Sequence, residues 1–585
     1  MSSWKLRKEI SDELKSKYVE YDPIILQLLV NRGLFGQNAG RDDIDSIKVE
    51  ISKFINPEWS QHVHDPFEFR DMAKAVERIF QAIKVQEKIT IFGDYDADGV
   101  CGSVLLYKTL GRLGAKNISV YIPHREQEGY GLNEKAVRQI INEGTSLIIS
   151  VDLGISNTIE VALANELGAQ VIIVDHHDLV DRGSGKEVPL AYAIIHADIP
   201  GEKYPFKDLC GAGTAFKLAQ GLLQHSLEPV EAFEKWLLDL VSIATIGDMV
   251  PLFGENRVFV KYGLIVLQKT QRIGLQALLS KSSLEGKLLT AWNVAFQIVP
   301  RINAAGRVSH AREALFLLLA EELQEAERLA DHLNTINRER QNLGHEISKQ
   351  AIEQIGEVGP DDYLLVACNH TWALGLVGLV AGRIAKKFYR PVVLITKTSE
   401  HLSGSGRSIE GFDITEALGM VKSNLLKFGG HPGACGLSLN EDKYEEFVRD
   451  LKSVARVKLA GSDLTQTLNI DVEVEIEKVT NDLVEYILKL EPYGMGNEEP
   501  VFVSKRLQVV SVSSVGADDQ HLRINVKADT GNAHKKCIGF GLAKEWLSKI
   551  KVGEHIDIVY NIGFNVWNGS RELQIKLKDL RKSYS

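Results

Sequence analysis

Four short clusters of aspartate or histidine follow apolar runs within the first 250 residues. Three carboxylates stand in segment 93–99, and an Asp-His-His tripeptide at 175–177 follows the apolar run 171–174. Asp152 and Asp248 each follow a further apolar run. Carboxylates gathered with little local positive charge repel one another, whereas carboxylate and imidazole are the usual protein ligands of manganese, iron and zinc. These residue types therefore predict a divalent-metal site.

The spacing of the residues favours a two-metal centre. Asp96 and Asp98 are two residues apart in a glycine-flanked loop, so both carboxylates can converge on one side. Asp152 and Asp248 are expected at the ends of other strands, and His176 would supply a nitrogen ligand. Two divalent cations about 3.5–4 Å apart would remove the repulsion among the acids, activate a water and stabilise charge on a scissile phosphate. Because magnesium prefers shells of oxygen, the histidine favours manganese.

Each cluster also has an ordinary interpretation when it is considered alone. A D-x-D loop is commonly a solvated turn, paired histidines commonly fill surface or core, and Asp152 or Asp248 could cap a helix. All four clusters together, in order and each after an apolar run, favour the metal site over these separate interpretations.

The segments around the clusters predict the elements that hold them. Apolar runs alternate with amphipathic helices over 70–250, which predicts a mostly parallel sheet with its ligands at the carboxyl ends of the strands. A charged, proline-free stretch predicts a long helix over 321–357, and a glycine-rich second α/β unit follows over 362–439. Alternating runs beyond Ser462 predict a small β-barrel or sandwich. Residues 1 to about 70 are expected to be helical.

Composition limits the class of protein and its compartment. The formal net charge is −10, but the segment 501–585 carries 14 Lys and Arg against 8 Asp and Glu, so a basic surface would be local. The 5 cysteines are dispersed without a C-x-x-C pair, which favours a reducing cytosol over a disulfide framework. No apolar stretch reaches the length of a membrane span, so a cytoplasmic protein without a membrane partner is expected.

These motifs resemble those of the DHH phosphoesterase superfamily, which takes its name from the tripeptide found here at 175–177. Several longer segments are similar to the RecJ branch of that superfamily. They are residues 93–99, 129–132, 204–213, 300–307, 428–431 and 491–497. The resemblance covers roughly residues 50–585.

The resemblance implies an α/β fold with two α/β domains, of DHH and DHHA1 type, joined by a long helix and followed by a C-terminal OB-fold β-barrel. The implied divisions are an N-terminal helical segment (1–70), the DHH catalytic domain (71–320), the connecting helix (321–357), a DHHA1-type substrate-binding domain (358–461) and the OB-fold nucleic-acid-binding domain (462–585).

The same resemblance implies a metal-dependent 5′→3′ exonuclease that hydrolyses single-stranded DNA from its 5′ end and releases 5′-mononucleotides, in repair and recombination. Two divalent ions would be needed, with Mn²⁺ preferred and Mg²⁺ possible. A helicase and a single-strand-binding protein are expected as partners by resemblance alone, and a monomer is expected. Activity on RNA stays open, since no residue can be tied to reading a 2′-hydroxyl.

Functional roles carry over to the matching positions. The implied metal ligands and catalytic residues are Asp96, Asp98, Asp152 (bridging two ions), His176 and Asp248, with His177 catalytic beside them. Asp175 would hold an imidazole from behind the ligands. Two departures from the pattern stand out: Phe92 occupies a position where some members have histidine, so Asp94 could also serve as a ligand, and His196-Ala197 replaces an Asn-Pro.

A second set of residues is expected to bind the DNA. Arginine forks and backbone N–H groups in glycine turns suit a terminal phosphate, although a surface salt bridge would explain a single arginine equally well. The residues that the resemblance assigns to the 5′-phosphate pocket and nearby DNA are Arg125, Asn303, Arg307, Ser405, Arg407 and His431. In the C-terminal module, basic residues interleave with aromatics such as Phe540 and Trp546, which suits single-strand binding but also fits a barrel core.

Other functions remain open on the sequence alone. One is a phosphodiesterase of short oligonucleotides or cyclic dinucleotides, although the extra module beyond 462 counts against it. Another is a catalytically lapsed scaffold that only binds single strands, although all five implied ligands are present.

Overall fold

The computed structural model describes residues 3–35, 44–125, 127–179, 187–226, 231–398, 400–529, 534–567 and 569–583. The chain divides into two compact units, each discontinuous in sequence. Unit 1 contains Met1–His64, Met249–Lys261 and Gln466–Ser585, and unit 2 contains Asp65–Asp248 and Tyr262–Thr465. Among the described residues, no helix is both long and apolar enough to cross a bilayer. The domain boundaries given above stay predictions.

The strands and helices follow in chain order. The strands are β1 (Ser3–Leu6), β2 (Lys88–Gly93), β3 (Ile118–Tyr121), β4 (Thr145–Val151), β5 (Gln170–Val174), β6 (Ala193–Ile195), β7 (Leu365–Cys368), β8 (Val392–Lys397), β9 (Leu402–Arg407), β10 (Lys427–His431), β11 (Ala434–Leu439), β12 (Thr467–Ile470), β13 (Val472–Glu473), β14 (Phe502–Val515), β15 (His521–Lys527), β16 (Lys535–Gly539), β17 (His555–Trp567) and β18 (Ser570–Lys582). The helices are α1 (Asp12–Lys17), α2 (Pro23–Asn31), α3 (Ile44–Ile55), α4 (Trp59–His62), α5 (Met72–Lys84), α6 (Ala97–Arg112), α7 (Glu134–Asn142), α8 (Thr158–Glu166), α9 (Gly211–His225), α10 (Glu231–Trp236), α11 (Leu238–Gly247), α12 (Gly254–Gln268), α13 (Ile273–Lys281), α14 (Ala291–Asn293), α15 (Val299–Val308), α16 (Arg312–Leu319), α17 (Leu323–Ile355), α18 (Leu374–Phe388), α19 (Ile414–Met420), α20 (Tyr444–Leu459), α21 (Asn481–Leu488) and α22 (Ala543–Trp546).

A five-stranded parallel sheet, in the order β3-β2-β4-β5-β6, forms the first half of unit 2. Its central strands are apolar on both faces and buried, as expected for a parallel sheet that helices cover on both sides. The predicted parallel α/β layer is therefore confirmed, and its carboxyl edge carries three of the four clusters.

The fourth cluster lies at the end of a helix, so the prediction that Asp248 follows a strand is wrong. Asp248 caps α11 at its carboxyl end. The residues 238–246 of this helix are all buried. A helix buried on every side shows no amphipathic period, so its sequence cannot be distinguished from a buried strand by pattern alone.

The second half of unit 2 follows the long helix α17, which has 33 residues and confirms the predicted connecting helix. A mixed sheet in the order β10-β11-β9-β8-β7 follows it. Only β7 and β8 pair in parallel, whereas β8, β9, β11 and β10 pair antiparallel. The glycine-rich segments noted in the sequence form β9 and β10.

Unit 1 contains a closed β-barrel. Pairing runs from β14 to β15, β16, β18 and β17, and β17 pairs back with β14. The barrel shares one hydrophobic core with the N-terminal helices, in which Leu26 and Leu29 of α2 join barrel residues such as Ile524 and Ile558. Strand β1 also pairs in parallel with β12. The predicted barrel is confirmed, and the N-terminal segment completes its core.

A buried arginine joins segment 249–261 to this core. Arg257 is 1% exposed and donates to the carbonyl oxygens of Phe54 (2.6 Å), Leu490 (3.0 Å) and Glu491 (2.7 Å). Its guanidinium also stacks on the ring of Phe54, 3.9 Å from the centroid. Burial lowers the pKa of Arg257 to about 9. The guanidinium of Arg257 thus holds the backbone at the start of loop 491–497.

Candidate metal centre

The backbone of the parallel sheet aligns the first three clusters along one edge. The N–H of Asp94 donates to the last carbonyl of β4 (3.3 Å), that of Asp152 to the last carbonyl of β5 (2.9 Å), and that of Asp175 to the last carbonyl of β6 (3.2 Å). Each acid therefore sits one step beyond the end of its own strand, against the end of the neighbouring strand. The sheet register brings the predicted residues together.

The loop after β2 aims its carboxylates by capping a helix. Asp96 is the N-cap of α6, and its Oδ1 accepts from the N–H groups of Asp98 (2.9 Å) and Gly99 (3.2 Å). The loop folds back so tightly that a Cβ on Gly99 would lie 2.5 Å from the backbone nitrogen of Asp94. Glycine is required at this position because any side chain would collide with the loop itself.

A second helix end holds Asp98. Its two carboxylate oxygens accept from the N–H groups of Gly211 and Ala212, both at 2.7 Å, at the start of α9. The positive end of a helix stabilises a carboxylate there. A Cβ on Gly211 would lie 2.5 Å from the Cβ of Asp152, so the close approach of α9 to the acids depends on this glycine.

His176 lies at the centre of the cluster. Its Nε2 is 3.2 Å from Asp152 Oδ1, 3.6 Å from Asp248 Oδ2 and 3.9 Å from Asp98 Oδ2. Ligand atoms of Asp94, Asp96 and Asp152 also lie within 4.8 Å of one another. All six residues predicted as ligands therefore converge on one place, and Asp152 belongs to both groups.

Asp175 holds the tripeptide behind these ligands. Its Oδ1 accepts from the N–H of His176 (2.8 Å), the N–H of His177 (3.3 Å) and Nδ1 of His177 (2.8 Å). Its Oδ2 accepts from the N–H of Ile155 at 2.9 Å. Burial alone would raise its pKa, but these hydrogen bonds and the charge of His177 lower the pKa of Asp175 to about 2. Asp175 thus contacts both histidines from the buried side of the cluster.

His177 is the more exposed histidine, with 38% of its side chain accessible. Burial works against its charged form, but the bond to Asp175 and the surrounding carboxylates raise the pKa of His177 to about 9. The hydroxyl of Tyr130 lies 3.1 Å from His177 Nδ1 and donates to the carbonyl of Asp152 at 3.2 Å. His177 therefore faces the open side of the cluster as a cationic group.

The electrostatics of the cluster favour a bound cation. Burial, followed by the charges of neighbouring aspartates, raises the pKa of Asp94 and Asp152 far above the ordinary range, raises that of Asp96, and raises that of Asp248 to about 9. Among the described residues, three buried atoms of the cluster form no hydrogen bond: Asp94 Oδ1, Asp152 Oδ1 and His176 Nε2, the last two facing each other at 3.2 Å. Unpaired buried acceptors beside mutually repelling carboxylates fit divalent cations with mixed oxygen and nitrogen ligands.

Two supporting residues escaped the sequence-based prediction. Tyr130 was noted only as part of a motif, yet it bridges Asp152 and His177. His196 is 2% exposed, and its Nε2 lies 2.9 Å from the carbonyl oxygen of His177, while its Nδ1 accepts from the N–H of Asp198. The position of His196 after a strand was the only signal for it. Phe92, the other departure, is fully buried and stacks on Tyr121 with ring centroids 4.9 Å apart.

The three predicted DNA-binding arginines form a second group, here called the arginine group. It consists of Arg125, Arg307 and Arg407. Burial, and next the charge of Arg125, lowers the pKa of Arg307 to about 10, and burial together with Arg125 also lowers the pKa of Arg407. Arg125 lies over the ring of Tyr95 in the first acidic loop, 4.8 Å from its centroid. The group thus adjoins the metal cluster.

The start of α18 packs against this arginine group. Arg307 donates to the carbonyl of Gly375 at 3.2 Å, and a Cβ on Gly378 would lie 2.9 Å from Arg407 Nη2 and 3.0 Å from Ser405 Oγ. Arg407 also donates to Ser405 Oγ at 2.8 Å. Helix amino ends and arginine forks both favour phosphate.

The remaining predicted residues have different surroundings. Asn303 accepts the N–H of Ala97 at 2.7 Å, so it holds the start of α6 in the acidic loop. His431 is exposed on the edge strand β10. In the barrel, Trp546 is 3% exposed and belongs to the core, whereas Phe540 is 58% exposed.

Comparison with known proteins bears on this arrangement. The DHH family, N-terminal domain, matches residues 88–245, the DHHA1 domain matches 361–456, and the RecJ OB domain matches 470–579. The single-stranded-DNA-specific exonuclease RecJ of Bacillus subtilis strain 168 is 36% identical over 580 residues, covering 98% of this chain and 70% of that protein. The protein of the same name from Salmonella typhimurium is 30% identical over 597 residues, covering 98% of each.

The chain belongs to the RecJ family. RecJ of Thermus thermophilus in complex with Mn²⁺ superposes with a TM-score of 0.82 at 26% identity, covering 100% of this chain and 80% of that one. The DHH, DHHA1 and OB-fold architecture expected from the sequence is confirmed. Together with the acidic cluster, the similarity to a Mn²⁺-bound RecJ supports a divalent-metal centre in this RecJ-family protein.

Proposed function

We propose that this RecJ-family protein is a metal-dependent 5′→3′ exonuclease that removes 5′-mononucleotides from single-stranded DNA. The observation that carries the proposal is the convergence of six candidate ligands beside the arginine group; three of these ligands have buried atoms that form no hydrogen bond among the described residues. Because the two groups are close together, the arginines could hold a terminal phosphate while the next phosphodiester bond lies at the acidic cluster.

Asp94, Asp96, Asp98, Asp152, His176 and Asp248 would hold two divalent cations, Mn²⁺ in preference to Mg²⁺ because of the imidazole. Bound there, the cations supply Lewis-acid activation of water and of the scissile phosphate. Helix α9 fixes Asp98, and Asp175 orients the tripeptide. His177 lies on the open side, and its ring N–H would donate a hydrogen bond to a phosphate oxygen.

The polarity would come from the arginine group. Arg307 and Arg407 are held at the start of α18, and neither is paired with a carboxylate within 4.0 Å among the described residues. A 5′-terminal phosphate carries more negative charge than an internal phosphodiester and offers more oxygens to a guanidinium fork. Ser405 would add a hydroxyl donor, and His431 a contact to the DNA backbone. Asn303 would act by holding the acidic loop.

Further expectations stay with this proposal. Single-stranded DNA with a 5′ end is the proposed substrate because the curated relatives are named for that specificity. A helicase and a single-strand-binding protein as partners, a monomeric state and a cytoplasmic location remain predictions from the sequence, as do the domain boundaries.

The test uses single strands labelled at either end, with Mn²⁺ and the full-length protein. Wild type should release the 5′ label as a mononucleotide at the earliest times, while the 3′-labelled strand shortens progressively. Asp152→Asn should abolish both signals, and this variant tolerates the backbone φ of 64° at that position better than alanine would. Asp178→Ala, which changes an exposed acid beside the tripeptide, is the matched control.

Two results would count against the proposal. Hydrolysis that survives in Asp152→Asn would remove the metal centre from the chemistry. A 3′ label that leaves first would reverse the assigned polarity. A separate comparison tests the pocket: Arg125→Ala should weaken binding of 5′-phosphorylated strands more than binding of 5′-hydroxyl strands.

A further inference from the structure

A single long helix passes both the metal cluster and the arginine group. Residues 291–308 are helical throughout, with α14 and α15 joined by a π-helical turn over Val294–Ile298. Pro300 lies just after that turn. Proline lacks an N–H and clashes with the carbonyl four residues earlier, and a wider turn accommodates both effects.

One stripe of this helix carries successive parts of the site. Arg307 belongs to the arginine group, and Asn303 holds the acidic loop through Ala97. Val299 packs against Gly247, the residue before Asp248, because a Cβ on Gly247 would lie 3.2 Å from Val299 Cγ2. The helix therefore runs from the arginine group to the metal cluster over about 12 Å, the rise of eight residues.

The same helix continues beyond the metal cluster and carries two exposed aromatic rings there. Trp292 and Phe296 lie on the amino-terminal side of Val299, and Phe296 belongs to the π-helical turn itself. They are 64% and 59% exposed, and their ring centroids lie 5.3 Å apart with a tilt of 34°. By helical rise they stand roughly 5–10 Å past Val299, on the side away from Arg307.

A positive charge accompanies the rings. Arg301 donates to the carbonyl of Gln297, next to Phe296, and to Asn334 Oδ1 at 3.1 Å. Burial and the charge of Arg338 lower its pKa. In the part of the chain that the structure describes, no carboxylate lies within 4.0 Å of Arg301. Exposed rings beside an uncompensated guanidinium suit the bases and phosphates of a single strand.

We propose that Trp292 and Phe296 form a base-stacking platform for the nucleotides that follow the scissile bond. The inference rests on the proposed function, since that function sets the direction of the strand. With a 5′-phosphate at Arg307 and the first phosphodiester at the acids, a strand that keeps this direction along the helix leaves past Val299. It then meets Phe296 and Trp292. Stacking there is independent of base identity, because every base has an aromatic face.

The test measures the length dependence of hydrolysis. Full-length wild type, Trp292→Ala, Phe296→Ala and Trp292→Phe are compared on 5′-phosphorylated substrates from dinucleotides to 12-mers with Mn²⁺. Trp292→Ala should raise KM for the 12-mer about tenfold, and the effect should shrink as the substrate becomes too short to reach the rings. Trp292→Phe should recover most of the loss. Phe316→Ala, at a similarly exposed phenylalanine on α16, is the matched control.

Abasic substrates identify the nucleotide that stacks. Removing one base at successive positions of the 12-mer should raise KM for wild type at the position that lies on the platform. For the substrate that lacks the base at that position, and for no other, Trp292→Ala should raise KM no further. The proposal would be overturned if Trp292→Ala raised KM by the same factor for the dinucleotide and the 12-mer. It would also be overturned if KM were unchanged in both alanine variants, or if Phe316→Ala raised KM equally.

Binding separates this inference from the proposed function. In an Asp152→Asn background, fluorescence anisotropy with a labelled 12-mer should show about tenfold weaker binding when Trp292→Ala is added. If wild type fails to degrade single strands from the 5′ end, the proposed function fails, whereas equal binding with and without Trp292 overturns the platform.

Discussion

Asp175→Asn tests whether the buried carboxylate behind the metal ligands sets their affinity. The four bonds that Asp175 accepts come from three backbone N–H groups and from Nδ1 of His177, at 2.8–3.3 Å. Asparagine keeps only one acceptor oxygen. If that oxygen stays toward His177, the new amide group faces the N–H of Ile155, and two donors are then opposed in a buried site.

The magnitude follows from these contacts. An orphaned buried donor costs about 1–3 kcal/mol, and the remaining bonds lose their charge assistance. Removing a residue that orients metal ligands typically weakens metal binding about 10–100-fold, which corresponds to about 1.4–2.7 kcal/mol. The two estimates agree in size. The pKa of His177 should also fall from about 9 toward its ordinary value, because Asp175 is the main group that raises it.

Calorimetric titration with Mn²⁺ at constant pH measures the affinity directly, and the Mn²⁺ dependence of hydrolysis gives a second readout. Asp557→Asn is the matched control, since Asp557 is a 6% exposed carboxylate in the barrel that accepts from Arg506 N–H and Ser583. An Asp175→Asn protein that binds Mn²⁺ within about twofold of wild type, below the tenfold minimum expected here, would refute the reasoning. An equal loss in Asp557→Asn would do the same.

Three further predictions concern protons, a buried cation and the chain termini. Without metal, in EDTA, Asp248 and its neighbours stay protonated in the folded protein at pH values where the unfolded chain has lost these protons. Thermal stability should therefore fall as pH rises from about 4 through the folded pKa of Asp248, about 9. Adding Mn²⁺ at pH 7.5 should then release protons, seen as a buffer-dependent binding enthalpy, and a buffer-independent enthalpy would contradict this. Arg257→Met leaves buried carbonyls without donors and should lower the free energy of unfolding of unit 1 by about 3 kcal/mol in urea, whereas Arg449→Met, at a side chain 72% exposed, should change little. Truncation after Gly461 should make the N-terminal helices sensitive to protease because they lose the barrel core, and a protease-resistant N-terminus would disprove the shared core.

The convergence of the first three clusters was predictable because consecutive parallel strands place their carboxyl ends at the same edge of a sheet. Each apolar run predicts a strand, and the carboxyl ends of parallel strands meet at one edge, so the acids after β2, β4 and β5 had to converge. Asp248 was predicted to follow a strand but ends a helix, because α11 is buried on all sides and so shows no amphipathic period.

Other features depend on packing between distant segments, which no local pattern encodes. Arg257 has the sequence surroundings of a surface residue, yet five backbone carbonyls of segments far away in the chain surround it. Likewise, Trp292 and Phe296 resemble core residues by type, and only their exposed surface distinguishes them. The N-terminal helices gave no sign that their core lies more than 400 residues downstream.

That shared core has a consequence for biosynthesis. The helices of residues 1–64 leave the ribosome about 400 residues before the barrel that covers them. At a translation rate of about 5–20 residues per second, their apolar faces stay uncovered by the barrel for roughly 20–80 s. During translation we expect this segment to be accessible to holding chaperones and proteases, and a chain that stalls before residue 466 would leave it uncovered. The helices of residues 1–64 can therefore be buried only after segment 466–585 has been synthesised.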